Sequence, residues 1–74
     1  MILYNYIDDR ERFYKISIQK SLFNTYVLER IYGSTSYSKP VGIVNKEFDD
    51  YISARLEYIK IVKKKIRKGY IEKV

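Results

Sequence analysis

Residues 48–70, FDDYISARLEYIKIVKKKIRKGY, decide how this chain folds. At about 100° per residue, Tyr51, Ile52, Ala54, Leu56, Tyr58, Ile59, Ile61, Val62 and Ile66 fall on one broad apolar arc. Ser53, Glu57, Lys60, Lys64, Arg67 and Lys68 fall opposite. Asp49 and Asp50 stand where a carboxylate can cap free N–H groups and suit the positive end of the helix dipole. Lys63, Lys64, Lys65, Arg67 and Lys68 crowd the other end, where cations suit the dipole. Gly69 is a natural stop, since glycine takes the left-handed C-terminal conformation without steric cost. The spacing predicts one helix over 49–68, with an apolar arc that the rest of the chain must cover.

The rest reads as strands. Residues 1–7 place Ile2, Tyr4 and Tyr6 on one face and Leu3, Asn5 and Ile7 on the other. Residues 8–12, DDRER, read as a charged break. Residues 13–19 alternate, with Tyr14, Ile16 and Ile18 facing one way and Lys15, Ser17 and Gln19 the other. A link with Asn24 as turn residue leads to a strand at 25–32, which sets Tyr26, Leu28, Arg30 and Tyr32 against Val27, Glu29 and Ile31. Residues 33–42 read as an irregular loop, residues 41–48 as a last strand, and residues 70–74 as a short tail in which Tyr70 and Ile71 can pack back. Strands followed by a covering helix predict an α+β fold: a small antiparallel sheet of about four strands packed against one long C-terminal helix. Seventy-four residues make one domain with a modest core, so 1–74 is expected to be a single unit.

Composition narrows the chemistry. With no cysteine, a disulfide, a thiolate metal site and a Cys nucleophile are excluded. Histidine is absent as well, which removes the commonest general base and metal ligand. The acidic pairs Asp8/Asp9 and Asp49/Asp50 sit at a turn and a helix start, where they serve capping and solubility. No glycine-rich phosphate cradle precedes a helix. The expectation is a non-enzyme without cofactor or metal. Net charge is +6, from 15 basic and 9 acidic residues, which favours a polyanionic partner over a neutral one. No apolar run approaches the length of a membrane span, and the first residues lack a signal-like basic region, so a cytoplasmic location is the default expectation.

Over nearly its whole length the chain resembles the WGR domain, a module named for a Trp-Gly-Arg signature and found in poly(ADP-ribose) polymerases and in stand-alone bacterial proteins. Arg12-Phe13-Tyr14-Lys15-Ile16 looks like the family's first strand. Residues 26–34, YVLERIYGS, align with its second strand and signature, with Tyr32, Gly33 and Ser34 at the Trp, Gly and Arg positions. Phe48, Ala54, Tyr58, Val62, Lys65, Gly69 and Tyr70 fall at the family's helix spacing, and KIRKGY is close to its K-x-x-K-G-Y ending. The signature is thus degenerate, and Lys39-Pro40-Val41-Gly42 stands where a Gly-Gln is usual. The resemblance implies a fold carried by the helix half. It also implies that the signature region engages DNA break ends and relays to neighbouring domains, with the aromatic ring on sugar or base.

The resemblance and the charge together give candidate contacts, each with a structural alternative. Tyr32 is a stacking platform or a strand-end tyrosine packed at a turn. Gly33 is first a turn residue. Ser34 replaces an arginine and can give a hydrogen bond to phosphate but no charge. Arg30 meets phosphate or pairs with a nearby acid, and Lys39 is the loop-side cation. The basic run 60–68, which includes Lys64 and Lys68, meets phosphate or forms a solvated helix face with favourable dipole charges. Lys65 lies inside the apolar arc and is read as structural or interface-forming. Arg55, also inside the arc, snorkels to the rim or pairs.

Two functions follow. The first is a non-catalytic nucleic-acid-binding module, for DNA above all, held through phosphates and one stacking aromatic. The second is a protein–protein interaction module, an adaptor or homo-oligomerising domain that has lost DNA binding. Convergence of Arg30, Lys39 and the 63–68 cations on the face of Tyr32 favours the first; an apolar patch around Tyr32 favours the second. The sequence fixes no oligomeric state.

Overall fold

A computed structural model of the chain describes residues 1–72, and Lys73 and Val74 of the expected tail lie outside the described residues. Four long strands, β1 (Ile2–Ile7), β2 (Arg10–Lys20), β3 (Tyr26–Ser34) and β4 (Gly42–Phe48), precede helix α1 (Tyr51–Arg67) and a two-residue strand β5 (Ile71–Glu72). The sheet runs β4-β3-β2-β1-β5, and every neighbouring pair is antiparallel. This is the expected α+β meander with one strand added. β5 pairs Leu3 and Tyr4 with Glu72 and Ile71, so the tail does pack back, as an edge strand.

The charged break at 8–12 is shorter than the sequence implies. Asp8 and Asp9 alone form the turn, with φ of 53° and 61°. Two residues with positive φ match the right-handed twist of a hairpin, and aspartate tolerates that region better than most side chains. Arg10, Glu11 and Arg12 therefore stay in the ladder, opposite Ile7, Tyr6 and Asn5. At the far end of β2, Asn24 takes φ 60° as expected of the turn residue. Ser21 Oγ accepts from Phe23 N and Thr25 N and bonds Thr25 Oγ1, which fixes the loop. Leu22 and Phe23 stand at its tip, 99% and 85% exposed.

Gly33 and Ser34 also belong to β3 rather than to a loop, pairing with Phe13 and Arg12. The irregular segment reduces to 35–41. Gly33 is required there by close approach: an added Cβ would lie 2.9 Å from the Val41 backbone nitrogen, a neighbour that cannot swing away.

The helix begins and ends on the signals in its sequence. Asp50 is the N-cap, with Oδ1 accepting from Ser53 N at 2.8 Å and Oδ2 from Ser53 Oγ at 2.9 Å. These bonds to the charged form hold the Asp50 carboxyl below its ordinary value. Gly69, at φ 103°, closes the C-terminal end, where Gly69 N and Tyr70 N donate to the Ile66 and Lys65 carbonyls.

The helix lies on the face formed by Leu3, Tyr14, Ile16, Ile18 and Leu28, the faces the alternation assigns. Leu3, Tyr14, Ile16, Leu28 and Val62 form the buried cluster, with Phe48, Tyr58, Ile61 and Tyr70 packed against it. The expected apolar arc is only partly covered. Ala54 and Val62 are buried, but Ile52, Leu56 and Ile66 remain 70%, 64% and 55% exposed. A cylinder resting on a sheet covers about a third of its circumference, less than the arc in the sequence. Among the described residues no helix is long and apolar enough to cross a membrane.

Candidate nucleic-acid interface

The helix and the strands beneath it leave an open cleft of about 550 Å³ between them. Arg12 and Tyr14 from β2, Arg30 and Tyr32 from β3, and Val44 from β4 line the sheet side. Glu57, Lys60, Ile61, Lys64 and Lys65 line the helix side, with Lys68 and Tyr70 beyond its end. Among the described residues, six cations thus share one concavity with a single carboxylate. The helix brings them together because Glu57, Lys60, Lys64 and Lys68 follow its three- and four-residue spacing. The strands bring theirs because register places Tyr14 opposite Tyr32 and Ile16 opposite Arg30.

Aromatic rings build one wall. Tyr14 and Tyr32 stack at 5.9 Å with planes 12° apart, and Tyr70 meets Tyr14 edge-on at 6.3 Å. Tyr32, 37% exposed, also lies over Gly42, its register partner. A Cβ at Gly42 would fall 2.4 Å from the Tyr32 ring, so this glycine gives the ring its seat. Gly42→Ala is expected to tilt Tyr32 off Tyr14 while leaving the ladder intact. A shifted Tyr32 ring resonance with a Tm lowered by only a few degrees would report this; an unmoved ring would refute it.

Burial, reinforced by crowded charge, perturbs Lys65 in the cleft. Lys65 Nζ lies 4.4 Å from the Tyr14 ring centroid and 5.4 Å from that of Tyr70, within reach of cation–π attraction. Burial, then the neighbouring Lys68, Arg30 and Lys64, hold its ammonium below the ordinary lysine value. Tyr14, which accepts from Arg30 Nη1 at 3.5 Å, is pushed up by burial, an effect its contact with Arg30 opposes.

Both shifts make stability depend on alkaline pH. Unfolded Lys65 holds its proton more tightly than folded Lys65, so its contribution rises as pH climbs from the lowered folded value towards 10.5. Above pH 10 the Tyr14 phenol acts the other way, because the unfolded chain ionises first. A phosphate in the cleft would favour the Lys65 ammonium. Lys65 Cε shifts, followed by NMR against pH, should therefore show a midpoint that rises when phosphate is added; an unmoved midpoint would place phosphate elsewhere.

The sequence-derived candidates divide on this geometry. Arg30, Tyr32, Lys64 and Lys68 share the cleft, and Lys65 joins them. Lys39 and Lys63 do not line it. Gly33 is buried and serves the close approach of 40–41. Ser34 is 6% exposed; its hydroxyl donates to the Glu11 carbonyl and accepts from Ser36 N, so it ties a strand end instead of facing the cleft. Arg55 lies 5.0 Å over the Tyr58 ring, on the helix surface. Sequence reasoning did not single out Arg12, Tyr14 or Tyr70 as site residues, and it reached Lys60 only as the first member of the basic run 60–68.

The sequence model of the family described as "WGR domain" matches residues 2–74. The chain belongs to the WGR domain family. WGR domains are in general nucleic-acid-binding modules and a non-catalytic binding family. No curated protein and no solved structure matches the chain. Within this WGR domain, the tyrosine at the signature Trp position is thus a wall of the cationic cleft, while the serine at the signature Arg position is internal. The cations of the cleft come from β2, from Arg30 two residues before the signature, and from the helix with its K-x-x-K-G-Y ending.

Proposed function

We propose that this WGR domain binds DNA through the cleft between α1 and β3, without catalysis. The observation that carries the reading is the convergence of Arg12, Arg30, Lys60, Lys64, Lys65 and Lys68 beside the stacked Tyr14–Tyr32 pair. Like charges held this close raise one another's free energy, and a run of phosphates is the partner that relieves them. Lysine and arginine contacts to phosphate position a strand without reading its bases, so binding is salt-dependent and weak in sequence preference. Tyr32 supplies the aromatic surface for a sugar or base, held in place by Tyr14 beneath it. Arg30, Lys64, Lys65 and Lys68 converge beside Tyr32 although Lys39 and Lys63 do not, and this partial convergence supports nucleic acid over a protein partner at this site.

The test is an anisotropy titration with labelled duplex DNA, intact and nicked, and with a single-stranded RNA of equal length. Salt is varied from about 50 to about 200 mM. Engagement of about four phosphates gives a log–log salt slope of about −4. Tighter binding to the nicked duplex supports end recognition, and equal binding assigns the cleft to the backbone alone. Absence of binding at the lowest salt sinks the proposal, and preference for RNA overturns its choice of DNA.

A further inference from the structure

The apolar residues the sheet leaves uncovered are not scattered over the helix. Ile52, Ile59 and Ile66 recur at seven-residue intervals, with Leu56 between the first two and Lys63 between the last two. At about 100° per residue these five lie within about 80° of arc. The stripe is separate from the Ala54, Tyr58, Ile61 and Val62 side that packs on the sheet, and from the Lys60, Lys64 and Lys68 side that lines the cleft. Ile52, Leu56 and Ile66 are largely exposed, and Ile59 is half-buried. A soluble helix gains nothing from isoleucine at this period on its outer side, whereas a second helix packed along it would bury the row.

We propose that this stripe pairs with the same stripe of a second copy of the chain, with the two helices antiparallel about Ile59. Such a pair has a two-fold axis, so each contact occurs twice. Ile52 meets Ile66, Ile59 meets Ile59, and Leu56 lies along the aliphatic stem of Lys63. Charge selects the direction. Asp49 and Asp50 stand at one end of the helix and Arg67 and Lys68 at the other, so antiparallel pairing sets acid beside base at both ends. Parallel pairing would set Lys63 and Arg67 against their own copies, a like-charge contact that destabilises helix pairs. Arg55, the cation nearest the stripe in the N-terminal half, is drawn back over Tyr58. The cationic cleft stays outside the contact, so a dimer carries two. The inference is independent of what the cleft binds.

The absence of cysteine makes the arrangement directly testable by single-cysteine variants. Nucleic-acid-free protein is examined by sedimentation velocity from about 10 to about 300 µM, the range in which a small helix-face interface becomes populated. A concentration-dependent shift to dimer is expected, abolished by Leu56→Lys, with circular dichroism confirming that the exposed substitution leaves the fold intact. On mild oxidation Ile59→Cys crosslinks to itself, and Ile52→Cys crosslinks to Ile66→Cys in a mixture but not to itself. A monomer over the whole range overturns the proposal. So does a dimer that survives Leu56→Lys, or an Ile52→Cys protein that crosslinks to itself as readily as to its Ile66→Cys counterpart.

Discussion

Lys64→Glu combined with Lys68→Glu is expected to weaken DNA binding by about a hundredfold at low salt, the largest functional effect available in this chain. Each lysine lines the cleft from the helix side, and each charge-assisted contact to phosphate contributes about 1.5 kcal/mol, close to tenfold in affinity. The reversal also flattens the log–log salt slope by about 2, because two fewer counterions are released on binding. Both side chains are exposed, so the melting temperature should change little. Lys39→Glu is the matched control: it changes net charge in the same sense, from a loop residue outside the cleft. Affinity measured for the two proteins separates a local site from a general effect of the +6 charge. If Lys39→Glu weakens binding as much as either helix reversal alone, the cleft is not the site.

Ile16→Ala is expected to have the largest effect on stability. Ile16 is fully buried in the middle of β2, between Leu3, Leu28 and the helix. Deleting its outer carbons loses their burial and leaves a cavity that rigid neighbours fill only in part, at a cost of about 2–4 kcal/mol. A domain of this length has only about 4–11 kcal/mol in total. Thermal unfolding followed by circular dichroism should therefore shift down by about 10–25 °C. Ile43→Ala, on the uncovered face of β4 and 58% exposed, should shift it by a few degrees at most. Similar losses at the two positions would mean that the open face is covered in solution, and the sheet would then have two buried sides.

The placement of Ile16 was legible in the sequence, whereas that of Ile43 was not, since 41–48 was read as a strand without assigned faces. Alternation set Tyr14, Ile16 and Ile18 on one face of 13–19 and grouped Leu28 with Tyr26, Arg30 and Tyr32 in 25–32, and the sheet turns Tyr14, Ile16, Ile18 and Leu28 towards the core. Period-two geometry leaves no other choice once one face is covered. The site was legible only in pieces. Arg30, Tyr32, Lys64 and Lys68 were named from charge and family spacing, whereas Arg12 was assigned to a charged break and Tyr14 to the core. Arg12 entered the cleft because a two-residue turn at Asp8 and Asp9 returns the chain early enough to keep it in β2. Tyr14 serves both core and cleft, its ring buried and stacked against Tyr32. Ser34, named from the signature, was withdrawn from the site by a long-range contact with the Glu11 carbonyl that no local pattern encodes.

What the sequence by itself determined is local. The helix begins at Asp50 because a carboxylate satisfies the free amide of Ser53, and ends at Gly69 because the chain there needs a positive φ. Each of these rests on atoms a few residues apart. The tertiary structure decided which cations share a cleft and which part of the helix faces water. Arg12 and Lys68 are far apart in the chain and line one cleft only because the helix packs back onto the sheet. The stripe through Ile52, Ile59 and Ile66 is indistinguishable by period from the one beneath it, since both are apolar rows on the same cylinder. Only the limited contact between a cylinder and a sheet selects one row for the core and leaves the other exposed.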